Sequence, residues 1–277
     1  MLTHVKRQLQ IPIHLLVWWG TSIYTCGRRL EGKKTGGTYA ILYYHGINQR
    51  DRSRFARQMD ELNRFAHAIP IHTKVVPHDG LHYVGVTFDD GFQSVLENGL
   101  PELVERKIPV TLFIPTGFMG RSPEWIEDRG QENPCEKVMT EDQIKGLPPE
   151  LVAIGSHTVT HAPLSPMSEK VLKRELIESK ETLERVTGRS VTLLSLPYGV
   201  YDERVIKIAH EVGYQKVFSS NHRPIGIKGS VIERVPVRPS DWAFEFRLKI
   251  LGAYRWFPFF LGLKRKLDVS HLLRAVR

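Results

Sequence analysis

Tyr83-Val84-Gly85-Val86-Thr87-Phe88-Asp89-Asp90-Gly91 is an apolar run that stops on two carboxylates and a glycine. A near-continuous run of this kind reads as a strand buried on both faces, as in a parallel sheet. Similar runs flank it at Thr38–His45, Lys74–Pro77, Val110–Pro115, Val152–His157, Val191–Pro197, Tyr214–Ser219 and Val231–Val237. Helical patterns fall between them at Arg54–Ala66, Val95–Lys107, Glu169–Thr187 and Glu203–Val212. Ser168 and Asp202 are placed to cap helix starts, and Gly188 and Gly213 to stop helices. Strands and helices that alternate over about 200 residues predict an α/β fold, either a barrel or a doubly wound sheet.

In both architectures chemistry collects at the C-terminal ends of the strands. The polar residues of this sequence sit there. The first strand ends in His45 and the third in Asp89-Asp90-Gly91. The fifth leads into Ser156-His157, with His161 four residues on, and the sixth into Pro197-Tyr198-Gly199.

His157 and His161, if their turn is helical, project from one face within reach of a single metal ion. Neighbouring strand residues point to opposite sides, so Asp89 and Asp90 need not do the same job. One can bind a metal while the other takes a proton. Two histidines and one carboxylate are a common catalytic zinc set that leaves a position for water.

Composition narrows the classes. With 41% hydrophobic and 25% charged residues, the 277-residue chain is globular and not disordered. Two cysteines, Cys26 and Cys135, exclude a disulfide scaffold and a cysteine-rich zinc module. No internal repeat, Walker-type phosphate loop or GxGxxG is present. The net charge of +9 is uneven: residues 1–37 carry +5, 247–277 carry +7, and 38–246 carry −3. The basic excess therefore does not point to nucleic acid held by the body of the protein. It divides the chain into a basic apolar N-terminal segment (1–37), a central domain (38–246) and a basic aromatic C-terminal helix (247–277).

Thr87-Phe88-Asp89-Asp90-Gly91, His157-Thr158-Val159-Thr160-His161 and Pro197-Tyr198-Gly199, in this order and at these separations, resemble the NodB-type polysaccharide deacetylases, carbohydrate esterase family 4. Tyr43-Tyr44-His45-Gly46 and Val110–Pro115 agree with that pattern, and the resemblance spans about residues 39–238. It implies a distorted (β/α)7 barrel, here with basic amphipathic helices at both ends. It also implies metal-dependent removal of acetyl groups from an N-acetylhexosamine-containing polysaccharide or glycolipid. Asp90, His157 and His161 would bind a divalent metal, typically zinc. Asp89 would be the general base that takes a proton from the metal-bound water. The metal and the backbone N–H of Tyr198 would stabilise the oxyanion, and Tyr198 and Pro197 would shape the groove.

The sequence departs from the family pattern in two places. The third motif is usually Arg-x-Pro-Tyr/Phe, its arginine orienting the base, and that position is Ser195 here. Arg234 and Arg238, on or just past the last strand, are the candidates to substitute. The Leu-x-His that supplies the general acid is not visible in Val231–Val237. An amine leaves poorly without a proton, and His222 and His45 are the candidate donors. A subset of deacetylase-like proteins from exopolysaccharide loci has this looser ending. The alternatives are a deformylase or deacetylase of a lipid-linked amino sugar, and a non-catalytic glycan-binding protein on the same barrel.

The two ends read as an address. Ile11–Cys26 is mostly apolar but shorter than the roughly 20 residues of a membrane span. It reads as an interfacial helix, an uncleaved anchor or signal, or a helix packed on the body. At the other end, Trp256-Phe257-Pro258-Phe259-Phe260-Leu261 precedes Lys264-Arg265-Lys266, then Val269, Leu272, Leu273 and Val276 at helical spacing. Aromatics beside a basic cluster suit an anionic membrane surface. They equally suit a last helix covering the barrel. A bacterial cytoplasmic or inner-membrane peripheral location is expected over a secreted one.

Overall fold

The computed structural model describes residues 37–74, 78, 80–123, 125, 136–220 and 231–252. The readings for 1–36, 253–277 and His222 lie outside these residues, as does most of Lys74–Pro77. Among the described residues no helix is long and apolar enough to cross a membrane.

All strands run parallel. In chain order they are β1 (Thr38–Tyr44), β2 (His67–Ala68), β3 (His82–Phe88), β4 (Val110–Ile114), β5 (Val152–Ser156), β6 (Leu193–Ser195), β7 (Lys216–Ser219), β8 (Val231–Glu233) and β9 (Val235–Pro236). They pair in the order β8-β7-β6-β5-β4-β3-β1-β9, with β2 added beside β3. β8 and β9 stand at opposite edges of the sheet, yet only Arg234 separates them in the chain. The last strand thus changes partner across one residue, from β7 to β1, and nearly closes a barrel. Counting β8 and β9 as one strand and β2 as an appendage leaves seven main strands, the distorted (β/α)7 barrel expected.

The helices are α1 (Arg52–Phe65), α2 (Leu100–Glu105), α3 (Glu141–Lys145), α4 (Glu169–Thr187), α5 (Glu203–Glu211) and α6 (Ala243–Ile250). α1 buries Phe55, Gln58, Met59 and Leu62, a single stripe at helical spacing. Phe55 meets Tyr44 and Phe88 ring to ring, at 5.3 and 5.9 Å. Burial of each such ring contributes about 1.5–3 kcal/mol. Ser168 and Asp202 cap α4 and α5 as expected, each accepting a backbone N–H three residues on. α4 stops at Gly188 in the left-handed conformation. The Val95–Lys107 pattern opens with a wide turn over Val95–Gly99 before α2 begins. Pro101 lacks the N–H and carries a ring that an ordinary helical turn rejects.

Of the expected Lys74–Pro77 strand only Lys74 is described. Lys74 is not in a strand, and the short strand of that region is β2. Ile71 meanwhile is buried in the barrel interior. Gly85 makes room for it, since a Cβ there would lie 2.3 Å from the Ile71 side chain. Ile41, Ile71, Phe113, Leu193 and Phe218 form this small inner cluster, separate from the larger core shared with the helices. On β3 the alternation is strict. Val84, Val86 and Phe88 join the outer core, leaving Gly85, Thr87 and then Asp89 facing inward.

Candidate active site

Because every strand is parallel, His45, Asp89, His157, Ser195 and Arg234 all emerge at one end of the barrel. Asp89 continues the inward face of β3 and lies 4% exposed. Arg234, 0% exposed, donates from Nη1 to Asp89 Oδ1 and from Nη2 to Oδ2, both at 2.8 Å. Nη1 also reaches Thr87 Oγ1 at 3.1 Å, and Nη2 reaches Ser195 Oγ at 2.8 Å. Thr87 donates onward to the Leu42 carbonyl, and Ser195 to Asp89 Oδ1 at 3.3 Å. The guanidinium lies over the rings of Tyr43 and Phe113, 4.9 and 5.2 Å from their centroids.

The cation missing at Ser195 is therefore supplied by Arg234 from the barrel seam. A serine at 195 leaves room for that longer reach and adds a hydroxyl to it. Arg238 has a different job, accepting from Gln58 Nε2 on its carbonyl and donating its N–H to Asp241. Burial alone would raise the Asp89 pKa. The charge of Arg234 and its hydrogen bonds, with the nearby His157 and His45 imidazoles, outweigh burial and hold the carboxyl well below the usual carboxylate range.

Asp90 turns the other way. Its Oδ1 lies 3.3 Å from His161 Nε2 and 3.7 Å from His157 Nε2. Asp90, His157 and His161 are buried, and each offers one ligand atom within 4.8 Å of the others. His157 Nδ1 lies 2.8 Å from the Ser195 carbonyl oxygen, which can only accept. Nδ1 therefore carries the proton and Nε2 presents a lone pair toward Asp90. One carboxylate and two imidazoles, held together out of water, fit a divalent cation and match the three-ligand zinc pattern.

The convergence of the two histidines does not come from a helical turn. Residues 157–161 form a loop in which Thr158 and His161 have φ of 69° and 57°. The imidazole centroids end 4.7 Å apart. Among the described residues five non-glycine positions have φ in the left-handed region, and four of them are Asp90, Thr158, His161 and Tyr198. Conformations this sparsely populated persist only where the surroundings over-determine them, and they gather at functional sites.

Pro197 is buried, and Tyr198 sits on the short turn Pro197–Gly199, its ring 5.0 Å from that of His161. The Tyr198 side chain is 43% exposed, so it forms part of the rim. His45 follows β1, stands edge-on to Tyr43, and is close enough to act electrostatically on Asp89. Trp125 is a residue that sequence reasoning missed. Its indole stacks on His161 at 3.9 Å and 23°, with Phe118 packed edge-on behind it. No spacing rule signals a lone tryptophan placed this way.

A parallel barrel that sets a buried, arginine-paired carboxylate beside a buried Asp-His-His cluster at the C-terminal end of its strands has the layout of a hydrolase site able to hold a metal ion. The polysaccharide deacetylase family model matches residues 78–217, just over half the chain, and the chain belongs to this family. It is 26% identical over 160 residues to a peptidoglycan-N-acetylglucosamine deacetylase of Bacillus cereus, covering 58% of this chain and 60% of that one. It is 25% identical over 170 residues to a poly-beta-1,6-N-acetyl-D-glucosamine N-deacetylase of Staphylococcus aureus, covering 60% and 57%. The chain spans 42% and 45% of the length of two further curated relatives. The solved structure of IcaB from Ammonifex degensii shares the fold, with a TM-score of 0.62 and 23% identity over 77% of this chain and 98% of that one.

Proposed function

We propose that this chain is a metal-dependent N-deacetylase acting on an N-acetylhexosamine within a polysaccharide or a lipid-linked glycan. The observation that carries the reading is the division of labour between adjacent carboxylates, Asp89 on Arg234 and Asp90 on the two histidines. Family membership and the relatives' substrates support it. A divalent cation such as zinc, held by Asp90, His157 and His161, supplies Lewis acidity toward the carbonyl oxygen and lowers the pKa of a bound water toward about 7.

The chain's own residues do the rest. Asp89 stays ionised at neutral pH and accepts the proton of the attacking water. Arg234 fixes the orientation of that carboxylate with two parallel hydrogen bonds, a geometry a lysine does not reproduce. The Tyr198 backbone N–H donates to the developing oxyanion. Oxygen joins the carbonyl carbon, the C–N bond breaks, and the nitrogen leaves as an amine once protonated. His45 is the proton donor we assign among the described residues. The basic, aromatic ends of the sequence suit a substrate presented at an anionic membrane surface.

The test is acetate release from N-acetylglucosamine oligomers by the zinc-loaded protein. Asp89→Asn should lower the rate by about 10²–10⁴-fold, the range for a lost general base, while zinc binding persists. An Asp89→Asn protein as active as wild type would sink the assignment.

A further inference from the structure

The loop that carries both histidines is held by a helix outside the motifs. Glu175 lies on α4, with its side chain 3% exposed. Its Oε2 accepts the backbone N–H groups of Val159 and Thr160, each at 2.9 Å, and its Oε1 accepts the Thr160 hydroxyl at 2.9 Å. Val159 and Thr160 are two of the three residues between the ligands. One helical turn further along α4, Ser179 Oγ meets Ser156 Oγ at 2.7 Å, and Ser156 Oγ accepts the Thr158 N–H at 3.1 Å. Thr158 Oγ1 in turn accepts the His161 N–H at 3.1 Å. Every backbone N–H from Thr158 to His161 is thus given to a side-chain oxygen, and α4 supplies the acceptor for two of them. A loop with two left-handed non-glycine residues has no local reason to stay in place, so the hold must come from outside it.

We propose that Glu175 is a positioning residue for the metal centre, fixing the 158–161 backbone and hence the separation of the His157 and His161 nitrogens. A charged residue on the inner face of a helix, three heavy-atom contacts deep in one loop, serves that loop and not the solvent. The inference rests on the metal-dependent reading above, and its test is built to fail separately from it. Outer-shell partners of metal ligands typically contribute about 10–100-fold in metal affinity.

The experiment is calorimetric titration of zinc into the full-length, metal-stripped protein, with circular dichroism to confirm the fold of each variant. Glu175→Leu keeps the approximate volume and removes every acceptor, so the zinc Kd should weaken by about 10–100-fold. Glu175→Gln should bind close to wild type. Its carbonyl oxygen can take both N–H groups, and its amide can donate to Thr160 Oγ1. Thr160→Val removes one contact of the three, should give a smaller loss, and decides the matter if the leucine variant does not fold. Wild-type affinity in a folded Glu175→Leu protein overturns the proposal. So does a glutamine variant as weak as the leucine one, or an unchanged Thr160→Val protein where leucine does not fold. Absence of zinc binding by the wild type overturns the functional reading instead.

Discussion

Replacing Arg234 by methionine removes the cation and keeps an apolar stem of similar length. Asp89 is 4% exposed and Arg234 is 0% exposed, so neither partner can fall back on water. The two 2.8 Å hydrogen bonds between them are the chief compensation for burying the carboxylate. Breaking such a pair from one side costs about 3–5 kcal/mol, because a lone buried charge is left behind. Asp89→Asn should cost a similar amount from the other side. The double variant has no net charge to strand, so its loss should resemble one single variant, not the sum of two. The coupling energy of the cycle is then about 3–5 kcal/mol. Urea unfolding of the four proteins at pH 7, followed by far-ultraviolet circular dichroism, measures it. Simple additivity, or an Arg234→Met protein within about 0.5 kcal/mol of wild type, the range of neutral surface changes, would refute the reasoning.

Three other outcomes are expected. Zinc at 100 times its Kd should stabilise the chelator-treated protein by about 2.7 kcal/mol, seen as a raised melting temperature that His161→Ala abolishes. The Asp89 carboxyl is held below its usual 3.8, so its contribution to stability is present above that pH and lost as the pH falls through the lower, folded value. Acid unfolding curves of wild type and Asp89→Asn should therefore begin to approach each other only below about pH 4 and meet well under it, as the pH nears the folded value. Deleting residues 257–277 should reduce the share of protein that pellets with anionic vesicles, and an unchanged share would remove the membrane surface from the proposal.

What could be read in advance followed the range of the interactions. The strand ending in Asp89-Asp90 is legible because alternation along a strand is local, and so are the caps at Ser168 and Asp202. The two histidines announce themselves by spacing, although the reason they meet is a loop with unusual φ values and not a helical turn. Arg234 was visible only as one of two candidates. Its partner lies 145 residues away, and the choice depends on which edge of the sheet the last strand reaches. Glu175 was hidden for another reason. A glutamate in an amphipathic helix with many charges reads as solvated, and only the packing of α4 against the barrel shows that it faces inward.

The barrel seam has a dynamic consequence. The residue at which the last strand changes neighbours is also the residue that holds Asp89, whereas Asp90, His157 and His161 follow β3 and β5 in the continuous wall. Fraying of 231–236 would release Asp89 from its partner while the donor cluster stayed assembled. The two carboxylates of the site thus depend on different parts of the sheet, which can open separately. Amide exchange at Val231 to Val237 should report release of Asp89, independently of whether the Asp90, His157 and His161 cluster is in place.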